Sequence, residues 1–178
     1  MTERERERQK GVWDEEPDLR EWTHAGLSCA VRRMESSGHL CGYVGVGKEH
    51  PWYEKGYNDK VYVQDVGQMK VDIDKVGALT MFCAPILCDV EKDLVAIVLV
   101  VQVHGGVTFA RKIDSWEPKN LWWFGFDCGH CRDIRPFDND AFQSAFGERV
   151  YRTFEFVVGE TESMAEQLSG VREEKTDE

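Results

Sequence analysis

The pattern of apolar and polar positions changes character along this chain. Leu27, Cys29 and Val31 alternate within Gly26–Met34, the composition Glu35-Ser-Ser-Gly38 marks a turn, and His39–Val46 (HLCGYVGV) is the returning run. Period-two runs separated by a Ser/Gly turn predict an antiparallel hairpin. Gly42, Gly45 and Gly47 are unusual company for a strand and predict a bulge or a close approach by another backbone or a ligand. Farther on, Leu94–Val103 is uncharged and rich in Val and Ile, which predicts a buried strand ending at His104. Thr108–Ile113 predicts a continuation of the sheet after a glycine bend, and Leu121–Phe126 predicts a strongly aromatic strand.

Near the C-terminus the period lengthens. Val150, Phe154, Val157, Val158, Thr161, Met164, Ala165 and Leu168 recur at three- and four-residue steps, with Glu155, Glu160, Glu162, Glu166 and Gln167 mostly between them. That spacing predicts an amphipathic helix of about five turns, closed by Gly170. A shorter helix, Asp140–Phe146, is predicted before it, capped by Asp138 or Asn139 and stopped by Gly147. Strands early and a helix late define an α+β class: a mostly antiparallel sheet with a long C-terminal amphipathic helix packed on one face.

The remaining stretches are less periodic. Trp13 and Trp22 are expected to anchor residues 11–24 onto the domain, residues 48–60 form an aromatic loop, and residues 61–93 carry no clear period. Residues 1–10 alternate Glu and Arg with no apolar face and read as a charged, disordered tail. Residues 11–170 then form a single α+β domain, followed by a second charged tail at 171–178.

Composition narrows the function classes. A net charge of −11 and a pI of about 5.0 argue against whole-surface binding to nucleic acid or anionic membrane, which depends on Lys and Arg neutralising phosphates. A small anionic ligand is compatible with that charge, because a local pocket holds it. No apolar run reaches the roughly 18–20 residues of a membrane span, and residues 1–10 lack the apolar core of a secretory leader. A cytoplasmic protein with reduced thiols is therefore expected. G-x-x-x-x-G-K-[ST], H-E-x-x-H and G-x-S-x-G are all absent, which weakens the nucleotide-triphosphatase, zincin and serine-hydrolase readings.

Candidate chemistry is densest from His104 to Pro136. His104, Gly105 and Gly106 follow one predicted strand; Asp127, Cys128, His130, Cys131 and Asp133 follow another. Three site readings compete. Cys128-x-x-Cys131, with His130 between them, suggests structural zinc, although a lone C-x-x-C lacks its second ligand pair. His104, Asp127, His130 and Asp133 suggest a metal-dependent hydrolase, a histidine beside a carboxylate being a general base or a ligand of fixed tautomer. The third reading is a pocket without cofactor or catalysis. In it Trp122 and Trp123 stack on a flat ligand, His104 and Asp127 hydrogen-bond it, Gly105 and Gly106 offer backbone N–H groups, and Arg132 meets a phosphate or carboxylate. Tyr43, His50 and Tyr53 are its candidate walls. Purely structural roles stand beside all of these: Asp127 as a loop cap, His130 as a core histidine. The acidic charge adds a different class, a protein-binding inhibitor with an acidic surface. An aromatic-rich domain of this size can also form a homo-oligomer.

Five blocks, in order, resemble a widespread family of small phage and prophage proteins. They are GHLCGYVGV (38–46), the His50-Pro51…Tyr53…Tyr57-Asn-Asp loop, Val103-His-Gly-Gly-Val-Thr-Phe109, Trp122-Trp-Phe-Gly-Phe-Asp-Cys-Gly-His130 with Asp133 after it, and Tyr151-Arg152. The chain departs from the shorter family pattern over 61–97, where the family has a brief connection, and at Cys131, where the family has a small residue. The second departure weakens the zinc reading. The resemblance implies a phage-encoded accessory protein acting in a bacterial host cytoplasm, with no established enzymatic activity. Combined with the pocket chemistry, it leads to the expectation of a protein that binds a small, nucleotide-like molecule and sequesters a host immune signal.

Overall fold

In the computed structural model, residues 10–137 and 148–172 are described. The expected helix Asp140–Phe146 lies outside them, as do residues 1–9 of one charged tail and 173–178 of the other. The main sheet contains β1 (Leu19–His24), β2 (Leu27–Arg33), β3 (Leu40–Val46), β7 (Phe109–Lys112) and β8 (Trp122–Asp127), in the spatial order β1-β2-β3-β8-β7. Every neighbouring pair is antiparallel. One long helix, α5 (Phe154–Ser169), packs across one face of this sheet. The architecture is α+β.

The hairpin of β2 and β3 forms as the alternation predicts, with Ser28 opposite Gly45 and Arg33 opposite Leu40. β1 lies where the sequence suggested only an anchoring segment. It is joined to β2 by Ala25 and Gly26, both at positive φ (49° and 79°), the backbone of a two-residue hairpin turn. Alanine is a poor signal for that turn, since a Cβ disfavours the left-handed region.

The core lies between the sheet and α5. Leu40, Val44 and Val46 of β3, Phe124 and Phe126 of β8, and Val157, Met164 and Leu168 of α5 are buried there. Gly42 allows the close approach: a Cβ at that position would lie 2.3 Å from Thr161 Oγ1 and 2.5 Å from Phe126 Cε1. The glycine expected to admit a close neighbour thus admits the helix. α5 begins at Phe154, four residues later than its apolar spacing indicates at Val150. Thr153 Oγ1 caps it by accepting from the Phe156 N–H (3.2 Å), and Val150 is instead bridged to the segment around Asp133, donating N–H to Arg132 O (2.9 Å). Gly170 closes the other end.

Leu94–Val103 is not one strand. Only Leu94–Ala96 (β6) pairs, with β4 (Lys60–Tyr62) on one side and β5 (Cys88–Asp89) on the other. The chain then turns through one helical turn, α4 (Ile97–Val100), where Val101 N–H donates to Ile97 O at 2.9 Å. This turn threads between two apolar clusters. Ile97, Val101 and Val103 belong to the main core, and Val95, Ala96, Val98 and Leu99 to a second one under the 60–100 region. A fully buried run of this length carries no period that separates strand from helix. Residues 73–87 add three short helices, α1 (Ile73–Val76), α2 (Ala78–Phe82) and α3 (Ala84–Leu87). No helix among the described residues is long and apolar enough to cross a membrane.

Candidate functional site

Asp133 is the hub of a polar cluster built from segments far apart in sequence. Its side chain is 1% exposed. Oδ2 accepts from His104 Nε2–H at 2.9 Å, from the His130 backbone N–H at 3.1 Å and from His130 Nδ1–H at 3.3 Å. Oδ1 accepts from Arg152 Nε–H at 2.9 Å, and Arg149 holds the Asp133 carbonyl from Nε (3.0 Å) and Nη2 (2.7 Å). The two imidazoles meet edge to face, with ring centroids 5.3 Å apart.

A second carboxylate fixes the backbone behind the cluster. Glu160 is buried on α5, although the helical pattern assigned it to the polar face. Its Oε2 accepts the His104 N–H at 2.9 Å, and its Oε1 pairs with Lys75 of α1. His104 is not at the end of a strand, and its meeting with His130 does not depend on strand pairing between their segments. Helix α5 and the segment leading into it bring them together, through Glu160 and Phe156 at His104 (rings 5.5 Å apart) and through Arg152 on Asp133.

Gly105 completes the arrangement. It has φ +72°, and an added Cβ would lie 1.9 Å from His130 Cε1, so the His130 ring rests on bare backbone. Gly105 also lines a cleft of about 560 Å³. Leu79, Thr80, Cys83 and Ile86 of the short helices form one wall, Tyr57, Asn58 and Lys60 another, and Val107 and Thr108 continue from Gly105. Two other surface clefts have similar volumes, one beside Trp13 and Arg33 and one beside Trp52 and Val171. None of the three is lined by His104, His130 or Asp133; the Gly105 cleft is the one that includes a neighbour of His104 in contact with His130.

The electrostatics follow from the contacts. Burial alone would raise the Asp133 carboxyl, but hydrogen bonds from His104, His130 and Arg152 outweigh it and hold it well below the usual carboxylate range. The bond to Asp133 raises His130 above the ordinary histidine value against the opposing effect of burial. Arg152 leaves Oδ2, the oxygen facing both imidazoles, as the convergence point of the site.

The other residues singled out by sequence are placed elsewhere. Asp127 does not join the cluster: its Oδ2 accepts from Thr108 Oγ1 (3.0 Å) and its Oδ1 from the Gly129 N–H (2.9 Å), a loop-capping role beside the cleft. Tyr43 and Trp123 lie on the sheet face away from α5, in an aromatic group with Phe109 and Trp116. Tyr43 is 4.9 Å and Trp123 5.1 Å from the Trp116 ring centroid. The period of two across β3 and β8 sends these side chains away from the helix-covered face. Trp122, at the opposite end of β8 from Asp127, donates Nε1–H to Lys55 O at 2.9 Å and packs against Tyr53.

His50 accepts the Trp52 N–H at Nδ1 (3.0 Å), so its Nε2–H donates to Leu168 O (2.9 Å) near the far end of α5. Gly106 donates its N–H to Val103 O and Lys75 O, leaving none for a ligand, and Arg132 is exposed. Cys128 is buried and Cys131 exposed. Among the described residues the one group of His, Cys, Asp or Glu drawn together tightly enough for a metal is His104, His130 and Asp133, without either cysteine. Of the expected ligand-binding residues, Gly105 lines the cleft, and Tyr57 and Asn58 of the aromatic loop join it; the wall from Leu79 to Leu87 was missed. Its signal was the uncharged run from Val76 to Cys88, which lacked a period because it folds as two helices of five and four residues.

Comparison with protein-family models, with curated proteins and with solved structures finds no match to this chain.

Proposed function

We propose that this protein binds a small molecule in the cleft between Leu79–Leu87 and Gly105–Thr108. The observation that carries the reading is the double role of Gly105, which lines the cleft and lies directly against the His130 imidazole. The cleft's volume falls within the usual range for small-molecule sites, roughly 300–1,000 Å³, and its mostly apolar lining has a few polar groups that can orient a ligand. A nucleotide-like ligand suits that lining. The apolar side chains of Leu79 and Ile86 take a base, Asn58 and Thr108 offer hydrogen bonds, and the Lys60 ammonium meets a phosphate.

The block resemblance adds the biological setting: a phage accessory protein in a bacterial cytoplasm, sequestering a nucleotide-derived immune signal. A second reading, hydrolysis of the bound molecule, is favoured by the same adjacency, with His104, His130 and Asp133 as its machinery and Asp127 outside it. Mass spectrometry of whatever small molecule leaves the purified protein on denaturation tests both. An intact ligand that the Leu79→Ser variant fails to retain supports sequestration. A cleaved product supports hydrolysis. Recovery of a bound host protein, with no small molecule and no effect of Leu79→Ser, overturns both and favours an acidic protein-binding inhibitor.

A further inference from the structure

We infer that His104, His130 and Asp133 form a site for one divalent first-row transition metal ion, of the zinc or iron(II) class. This assignment does not rest on the cleft reading. A metal can bind here with no organic ligand present, and an organic ligand can occupy the cleft with no metal.

The first argument is geometric. His104 Nε2 lies 2.9 Å and His130 Nδ1 3.3 Å from Asp133 Oδ2, and all three atoms lie within 4.8 Å of one another. Metal–ligand bonds of about 2.05 Å give ligand–ligand edges of about 2.9 Å in an octahedral site and about 3.3 Å in a tetrahedral one. The two measured edges fall within that span and the third is no longer than 4.8 Å, so an ion reaches all three atoms once the side chains adjust.

The second argument is hydrogen-bond crowding. Three N–H donors converge on the single oxygen Oδ2, two of them from imidazoles. A carboxylate oxygen has two lone pairs, so the third donor is poorly served. An ion at the focus replaces both imidazole protons, and each ring then offers a lone pair to the metal while Oδ2 does the same. Binding releases protons in the ordinary way for histidine ligands.

The third argument is the support around the ligands. Arg152 holds Oδ1 at 2.9 Å and so aims Oδ2 at the imidazoles. Glu160 fixes the His104 backbone, and Phe156 packs against the ring. Gly105 leaves room for the His130 ring where any side chain would collide with it. Partners that orient the ligands in this way commonly govern metal affinity.

Two imidazole nitrogens and one carboxylate oxygen select a borderline transition metal over calcium or magnesium, which favour oxygen shells. Three protein ligands leave positions open, the arrangement of a catalytic or ligand-exchanging site and not of a closed structural one. The His130 side chain is 34% exposed, which leaves a path for ion and solvent.

The test uses the full chain, stripped with chelator and titrated with Zn²⁺ by calorimetry, then loaded with Co²⁺ for visible spectroscopy. The expected result is one ion per chain, with cobalt d–d bands and no thiolate charge-transfer band. His104→Gln and His130→Gln should each weaken binding at least about tenfold, while Cys131→Ser and Leu79→Ser leave it unchanged. Circular dichroism checks the folding of each variant, and the partly exposed His130 serves as the ligand test if His104→Gln unfolds. Failure to bind zinc tightly, wild-type affinity in a folded His130→Gln variant, or a cobalt–thiolate band would each overturn the assignment. Loss of metal binding with cleft binding intact, or the reverse, separates this site from the proposed function.

Discussion

Replacing Asp133 with Asn keeps the size of the side chain and removes its charge, which makes it a sharp probe of the cluster. An amide offers one accepting oxygen and one donating NH₂. With the NH₂ at the Oδ1 position it faces the Arg152 Nε–H, 2.9 Å from that site. With the NH₂ at the Oδ2 position it faces the backbone N–H of His130, 3.1 Å away. Neither partner can become an acceptor, so both orientations set donor against donor at a residue that is 1% exposed. One such mismatch costs about 1–3 kcal/mol, and charge-assisted bonds reduced to neutral ones cost about 1 kcal/mol each. Arg152 and His130 are 27% and 34% exposed, so water recovers part of the loss. The expected destabilisation is about 3 kcal/mol, near the low end for breaking a buried charge pair.

The effect should depend on pH with a definite sign. The depressed Asp133 carboxyl contributes stability that is complete above the unfolded value of about 3.9 and is lost as pH falls through the folded value. The raised His130 contributes stability that is complete below about 6.5 and is lost as pH rises through its folded value. The gap between wild type and Asp133→Asn should therefore be widest between about pH 4 and pH 6.5 and narrow on both sides. Urea unfolding of the metal-free proteins at about pH 3, 5.5 and 8 measures it. A loss below about 1 kcal/mol at pH 5.5, or a gap that does not vary with pH, would refute the reasoning.

Gly105→Ala places a Cβ 1.9 Å from His130 Cε1 at φ +72°; it should lower stability by about 1–3 kcal/mol and displace the His130 imidazole resonances, measured by denaturation and NMR. Leu168→Ala, at a fully buried position on α5, should cost about 2–5 kcal/mol by the same denaturation assay. Leu79→Ser, at a side chain 79% exposed, should change stability by no more than about 0.5 kcal/mol while reducing ligand retention in the cleft. Burial pushes the Cys41 thiol up to about 12 and Cys29 to about 11, and raises Cys128 as well, whereas Cys131 is exposed. A thiol reagent at neutral pH should therefore label Cys131 in the native protein and leave Cys29, Cys41 and Cys128 until unfolding.

The parts of the fold that follow from local period are the parts that sequence reading recovers. α5 recurs with one buried face and Leu27, Cys29 and Val31 alternate in β2, while β3 and β8, buried on both faces, are legible from their bounding turn and their aromatic content. β1 was hidden because its edge position leaves Leu19, Arg20 and Glu21 exposed, with no apolar alternation to read. The 94–103 run was misread because it is buried on all sides, where strand and helix look alike. The site divides in the same way. The sequence groups His104, Asp127, His130 and Asp133 by their density beside strand ends, and the structure brings together all of them but Asp127. Arg152 and Glu160 were not assigned to it, because their roles depend on the placement of α5. Tyr43, His50, Tyr53, Trp122 and Trp123 looked like pocket walls because aromatic content does not reveal which sheet face, or which end of it, a side chain occupies.

What holds the cluster together is polar contact between distant segments, with apolar packing as the frame. Glu160 joins α1 through Lys75 to the backbone of His104, and the Gly106 N–H also donates to Lys75 O at 3.0 Å. Lys75 lies four residues before Leu79, where the cleft wall begins, so the segment leading into that wall is tied to α5 and to the His104 backbone by the same carboxylate. Asp133 ties the histidine loop in turn to the segment that leads into α5, through Arg149 and Arg152. The two acids therefore act as staples on opposite sides of His104.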